Sequence, residues 1–185
     1  MWPGWQSCVM RTEYLLEREV EQVLDLLTYE NRLICRTLLH TGLRIGDVLQ
    51  LKPEQLKPNF WITEQKTGKR RQVGLPEPLL SDLRDSADGQ WVFPGSRPGK
   101  HRTRQSVWKD VKRAAEAARL TQNVAPHSCR KVYAVQLMER YGDIERVRRA
   151  LNHGGLAVTM IYAMADKRLR AKGRRRRSAP GRKKA

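Results

Sequence analysis

Residues 41–51 read TGLRIGDVLQL, and the way this stretch divides sets the organisation of the chain on either side of it. Upstream, Leu33, Ile34, Leu38 and Leu39 recur at helical spacing, which predicts a helix from about Glu30 to Thr41. Gly42 supplies its stop, because glycine adopts the left-handed conformation that ends many helices. Downstream, IGDVLQL carries a short helical pattern that ends before Pro53, since the residue ahead of a proline is steered out of the α region. Arg44 therefore stands just past a glycine turn and at the head of a new helix. Taken alone it reads as a salt-bridging surface residue, with Asp47 as its candidate partner.

The pattern outside this stretch is mostly helical with a strand interlude. Leu16, Val20, Val23, Leu24 and Leu27 predict a helix that Thr12 caps and that runs to about Leu27. Residues 59–75, NFWITEQKTGKRRQVGL, change period: Trp61, Ile62 and Thr63 precede a KTGK turn, and Gln72, Val73 and Leu75 follow it. This reads as a β-hairpin with Lys66 at or near its tip. WVFP at 91–94, after the turn signal ADGQ, reads as a third short strand. A helix from Thr103 to about Leu120 places Val107, Trp108, Val111, Ala115 and Ala118 on one face, with Arg104, Lys112 and Arg113 left for solvent or phosphate. Pro126 opens a helix that Gly142 closes, and Asp143 caps another that runs out at Asn152-His153-Gly154-Gly155. The expected fold class is α+β and mainly helical, with a small three-stranded antiparallel sheet.

Charge narrows the partner. The 185 residues hold 37 Lys and Arg against 19 Asp and Glu, a formal +18. Eleven of the cations and no acid fall in 167–185, so 26 cations and all 19 acids share the first 166 residues, a net +7 there. Such a balance points to a polyanion, since Lys and Arg on phosphates release counterions. A membrane surface is the rival, but the tail KRLRAKGRRRRSAPGRKKA offers almost nothing apolar to insert. No apolar stretch approaches the roughly 20 residues of a membrane span. The amino terminus, MWPGWQSCVMRTEY, lacks the pattern of a secretory signal, so the expected setting is the cytoplasm. Cys8, Cys35 and Cys129 show no C-x-x-C pairing and read as reduced thiols.

Several polar residues are candidates for chemistry, though each has a bland reading alone. His127 and Arg130 are three apart at a helix start, so both project from one face beside the positive end of the helix dipole. His-x-x-Arg recurs by chance, and on this pair alone a surface histidine near a solvated arginine is the better reading. Lys66 alone is a solubility charge on a turn, and His153 alone is a helix-terminal histidine favoured by the dipole. Tyr162 is either a core aromatic or a hydroxyl kept free to react. Lys69, Arg70, Arg71, Arg102, Arg104 and Lys131 are the candidates for DNA contact.

The order of these motifs limits the alternatives. TGLRIGDVLQL with Arg44, EQKTGKRRQV with Lys66, HSCR with His127 and Arg130, LNHGG with His153 and TMIY with Tyr162 resemble, in sequence and spacing, the catalytic domain of the tyrosine site-specific recombinases, the phage integrase family. The match spans roughly 12–165, and His153 precedes Tyr162 by the nine residues that the family keeps between its histidine and its tyrosine. The resemblance implies a DNA breaking-rejoining fold, with Tyr162 as nucleophile and Arg44, Lys66, His127, Arg130 and His153 around it. It implies double-stranded DNA as substrate, a homo-oligomer, a tetramer on DNA, as the working state, and no cofactor or metal. The alternative is a DNA-binding protein on the same scaffold that no longer cuts.

Those residue types suit that chemistry. A phosphodiester repels nucleophiles through its own anionic oxygens, so a site without metal must neutralise them with fixed cations and hydrogen bonds. Two arginines can each present a planar fork to the nonbridging oxygens. Lys66 on a hairpin turn is suited to protonate the departing 5′ oxygen, and His127 to manage the tyrosine proton.

The sequence also departs from the family. Ser128 and Cys129 stand where relatives usually carry an acid or small residue and then leucine; Cys129 can still fill an apolar slot. Only about eleven residues precede the first predicted helix, where most relatives have a helical core-binding domain, so the chain is expected to be a short single-domain relative or a fragment. The expected organisation is a segment at 1–11, a catalytic domain at 12–166 and a basic, disordered tail at 167–185.

Overall fold

A computed structural model describes residues 12–151. The expectations for His153, Tyr162 and the basic tail lie outside the described residues. Those residues form seven α-helices and one two-stranded sheet, with a 3₁₀ turn at Pro53–Gln55. The helices are α1 Glu17–Leu26, α2 Tyr29–Thr41, α3 Ile45–Leu49, α4 Glu77–Ser86, α5 Arg104–Ala117, α6 Pro126–Tyr141 and α7 Ile144–Leu151. Strands β1 Asn59–Thr63 and β2 Arg70–Gly74 lie between α3 and α4. None of these helices is long and apolar enough to cross a membrane.

α1 begins later than its apolar spacing implies. The Leu16 amide donates to Glu19 Oε2 at 2.6 Å, which fixes the first turn there. Ahead of it Thr12 is not a cap: its carbonyl accepts from Lys131 Nζ, and the Glu13 amide bonds the Asn123 carbonyl at 3.0 Å, so 12–16 runs extended along the body. α2 ends as expected, with Gly42 at φ 60° and its amide on the Leu38 carbonyl. That glycine has a second use, because a Cβ at 42 would overlap the Tyr133 ring of α6. The bare backbone lets α6 press against the end of α2.

The hairpin pairs Trp61 with Gln72 and Thr63 with Arg70 in antiparallel register. Phe60, Ile62 and Val73 face the core, while Trp61 is exposed. The sheet has two strands, not the expected three. The chain bends at Val92 and Phe93, which are fully buried, and the bonds of this segment go elsewhere: the Val92 amide donates to the Leu51 carbonyl, the Phe93 carbonyl accepts from the Arg102 amide, and Pro94 forms an isolated bridge with His101. Pro94 has no amide to give a ladder, so WVFP anchors a loop into the core instead of extending the sheet.

α4 is an element to which the sequence reading assigned no structure. Pro76 and Pro78 sit at its amino end, where helices have no amide bond to lose, and Leu79, Leu80 and Leu83 are its buried face. The main core gathers the inner faces of α1, α2, α4 and α5, the hairpin, and Val92 and Phe93. A second, smaller cluster of Ala134, Val147 and Leu151, flanked by Tyr133, Leu137, Met138 and Ile144, joins α6 to α7. Cys35 and Cys129 are free thiols, and Cys129 packs against the main core.

Candidate active site

Four of the six candidate catalytic residues open on one cleft. Arg44, Lys66, His127 and Arg130 line a space of about 660 Å³ together with Arg104, Asp47, Gln65 and Thr67. The pieces come from distant parts of the chain. Arg44 is the residue before α3, placed there by the Gly42 turn. Lys66 is exposed on the turn between β1 and β2. His127 and Arg130 sit in the first turn and a half of α6, whose start is secured by the Ala125 amide bonding Ser128 Oγ at 3.3 Å. An adjoining, more apolar cleft of about 720 Å³ shares Ile45, Arg104 and His127 and adds Leu49 and Trp108. A further cleft of about 340 Å³ contains none of the candidate residues.

Arg130 is the most constrained of the four. Its side chain is buried, with Nη1 on the Gly42 carbonyl at 2.5 Å and Nη2 on the Leu151 carbonyl. Its Nε is buried with no hydrogen-bond partner among the described residues. Burial, and then the neighbouring guanidiniums of Arg44 and Arg71, push its pKa down to about 10, which leaves it protonated near neutral pH. The same Leu151 carbonyl ties the end of α7 to the cleft, two residues ahead of His153 in sequence.

Arg44 does not pair with Asp47. Its Nη1 lies 2.5 Å from Glu64 Oε2, while Asp47 Oδ1 accepts the Gln65 amide at 3.0 Å. Glu64 is fully buried and also meets Arg71, whose Nε is 3.6 Å from Oε1. Arg71 is held a second time by the Thr41 carbonyl. Burial lowers the Arg71 pKa, against which Tyr133 and the two carboxylates, Glu64 and Asp47, act to raise it. Three guanidiniums thus crowd one region with two buried carboxylates between them. A net positive, partly desolvated cluster of this kind attracts an anion strongly.

Glu64 escaped the sequence reading. The signal that finds it is the strand alternation itself, since inward positions 60 and 62 extend to 64.

The candidate DNA-contact residues divide. Lys69, Arg70 and Arg104 are exposed, with the Arg70 guanidinium 5.4 Å from the centre of the exposed Trp61 ring. Arg71, Arg102 and Lys131 are partly buried and bonded within the protein. Arg102 reaches Asn31 Oδ1 at 3.4 Å and Glu30 at 3.6 Å, and Lys131 holds the Thr12 carbonyl.

Comparison with known proteins bears on the family and the fold. A sequence model of the phage integrase family matches residues 13–168. A putative integrase/recombinase, y4qK, of Sinorhizobium fredii is 35% identical over 147 residues, covering 76% of this chain and 47% of that protein. A probable integrase/recombinase, YoeC, of Bacillus subtilis is 31% identical over 134 residues, covering 69% of this chain and 74% of that protein. The chain therefore spans about half the length of the first relative and more of the second. The crystal structure of XerA recombinase superimposes with a TM-score of 0.70 at 22% identity, covering 97% of this chain and 68% of that one. XerH recombinase bound to its difH substrate gives 0.64 at 25% identity, covering 81% of this chain and 49% of that one. With the family pattern matched over most of its length, and the same fold around the cleft, the chain belongs to the phage integrase family.

Proposed function

We propose that this chain cleaves and rejoins DNA strands through a covalent 3′-phosphotyrosine on Tyr162. The observation that carries the reading is the single cleft shared by Arg44, Lys66, His127 and Arg130 in a chain of this family. Arg44 and Arg130 bind the nonbridging oxygens of the scissile phosphate and stabilise the charge that builds on them in the pentacoordinate transition state. The Nε of Arg130, buried and without a hydrogen-bond partner among the described residues, supports this role, because a desolvated donor costs about 1–3 kcal/mol until an acceptor arrives. His153 donates a further hydrogen bond to the phosphate.

His127 receives the phenol proton as the Tyr162 oxygen bonds to phosphorus, and the bond from phosphorus to the 5′ oxygen breaks. Lys66 delivers a proton to that departing oxygen. The new ester conserves the bond energy, so the 5′ hydroxyl of a second strand reverses the step without nucleotide or metal. Site-specific recombination, the integration, excision or inversion of a DNA element, is the outcome.

The partner is duplex DNA in the cytoplasm, engaged by Arg104 at the cleft and by the exposed Lys69 and Arg70 of the hairpin, with Arg71, Arg102 and Lys131 bonded within the protein behind them. The working assembly is a homotetramer on DNA, a reading that kinship supports: one solved relative is a lambda integrase tetramer bound to a Holliday junction.

A nicked suicide duplex tests the proposal, since loss of a short leaving fragment prevents religation and traps the covalent intermediate. Wild-type chain is expected to shift to a covalent adduct in a denaturing gel, and Tyr162→Phe to leave the DNA intact. An adduct formed by the Phe variant removes Tyr162 from its role. Intact DNA released by the wild type would instead establish a binding protein that no longer cuts.

A further inference from the structure

Glu64 follows β1 at the third inward position, where Phe60 and Ile62 lead the reader to expect another apolar side chain. A buried carboxylate is costly unless its oxygens are bonded and its charge is balanced. Its Oε2 is shared by Arg44 Nη1, at 2.5 Å, and the Thr67 hydroxyl, at 3.1 Å. Its Oε1 faces Arg71 Nε at 3.6 Å. Its backbone closes the turn: the Glu64 carbonyl accepts the Gly68 amide at 2.8 Å, and its amide donates to the Lys69 carbonyl at 3.0 Å. Lys66 lies inside that loop. One side chain is therefore bonded to Arg44 on one side and to the neighbour of Lys66 on the other.

The network continues beyond it. Arg71 reaches from Glu64 to the Thr41 carbonyl, and the next carbonyl along, that of Gly42, holds Arg130. An ion pair needed only for stability could lie anywhere in the core, and apolar residues commonly replace such pairs without loss. This one touches the cleft on two sides.

We propose that Glu64 is a positioning residue that sets Arg44 and the Lys66 turn in register, so that the phosphate-binding guanidinium and the leaving-group acid meet one phosphorus together. The inference rests on the function proposed above for Arg44 and Lys66. It assigns Glu64 no contact with DNA. Its effect is exerted through Arg44 by charge and through Lys66 by the Thr67 hydroxyl.

Two measurements on the full chain test it. The first needs no cleavage: arginine side-chain ¹⁵N spectra of the DNA-free protein, with the Arg44 signal assigned by its loss in Arg44→Lys. Glu64→Gln keeps the shape of the side chain and removes its charge, so the Arg44 guanidinium is expected to begin rotating freely while Arg32, held by the Leu24 carbonyl at 2.8 Å, does not change. An Arg44 signal that stays hindered in Glu64→Gln overturns the inference, and this arm gives its answer even if the wild type forms no adduct with DNA.

The second measurement is single-turnover cleavage of the nicked duplex. Glu64→Gln is expected to cleave about 10²-fold more slowly with duplex affinity unchanged, the cost of misplacing reacting groups by about an ångström. Thr67→Val removes the hydroxyl that links Glu64 to the Lys66 turn, together with its long contact from the Lys69 amide at 3.4 Å, and leaves the Glu64 bond to Arg44 in place. It is expected to be slow with the ordinary 5′ oxygen and restored when a sulfur, which needs no acid to depart, replaces that oxygen. Wild-type rates for Glu64→Gln, or equal slowing of Thr67→Val on oxygen and sulfur substrates, would show that Glu64 contributes to the fold alone.

Discussion

Lys66 is exposed on the turn between β1 and β2, yet the turn itself is closed by backbone bonds on Glu64. A long, hydrated side chain on an ordered base suits a group that must reach a leaving oxygen and then withdraw. If it acts as the acid, Lys66→Ala should slow cleavage of ordinary DNA by about 10²-fold or more, the usual contribution of a positioned acid. A bridging sulfur at the 5′ position should restore most of the rate, measured as adduct formed per unit time; a persistent defect would count against proton transfer by Lys66.

At this scale the sequence was readable where a residue's role follows from its own turn of chain. Arg44 past its glycine, Lys66 on its hairpin and His127 with Arg130 at a helix start are all local placements, and all four open on the cleft. Partners were not readable. Arg44 meets Glu64, 20 residues away, in place of the nearby Asp47, because the hairpin folds back over α3 and no local spacing encodes that return. Arg71, Arg102 and Lys131 read as free cations for the same reason, since their acceptors belong to other elements.

Helices α2 and α5 are joined by one carboxylate as well as by their apolar faces. Asp110 of α5 accepts from the Thr28 amide at 3.1 Å, the Thr28 hydroxyl at 3.0 Å and Asn31 Nδ2 at 2.7 Å, which secures the start of α2, and Arg113 bonds its other oxygen. Burial alone would push the Asp110 pKa up, but the bonds from Asn31, Arg113 and Thr28 outweigh it and hold the pKa below its ordinary 3.8. A lowered folded-state pKa means that this stabilisation is fully present above pH 3.8 and is lost as pH falls through the folded value. Asp110→Ala should therefore cost about 1–3 kcal/mol at pH 7. Urea melts of variant and wild type should converge as the carboxyl is protonated, and a gap that persists in acid would assign the loss to packing.

α5, with its apolar periodicity, and α2 and α6, each with a glycine or proline at an end, were legible in outline. α1 was misplaced at its start because Glu19, not Thr12, satisfies the first turn. α4 was hidden by its two prolines, which mark a helix entrance as readily as a loop. WVFP has strand composition, but a proline and better partners on Leu51 and Arg102 keep it out of the sheet.

Over the whole chain, charge sets the reach of the molecule. A formal +18 spread over 185 residues draws it to a polyanion whatever the chemistry in the cleft. Affinity for a short duplex should fall linearly in log–log salt titrations, by a slope of about −0.9 for each phosphate neutralised. A chain ended after residue 166 lacks 11 cations and is expected to show a shallower slope with its adduct yield at low salt retained. An unchanged slope would place those cations off the DNA. The mainly helical architecture was legible at this scale from periodicity and from the order of the motifs; the count of strands was not, since it depends on which backbone groups find partners across the fold.

The separate cluster beneath α7 has a consequence of its own. Ala134, Val147 and Leu151 form a seam with little stake in the main core, and Arg130 fastens its outer edge through one carbonyl. Peeling α7 away would expose that seam and free one of the two carbonyl bonds of the guanidinium, the other staying on Gly42. The end of α7 is therefore latched by the arginine to which the proposed reaction gives the phosphate, so that loading the substrate and holding this helix would draw on one side chain.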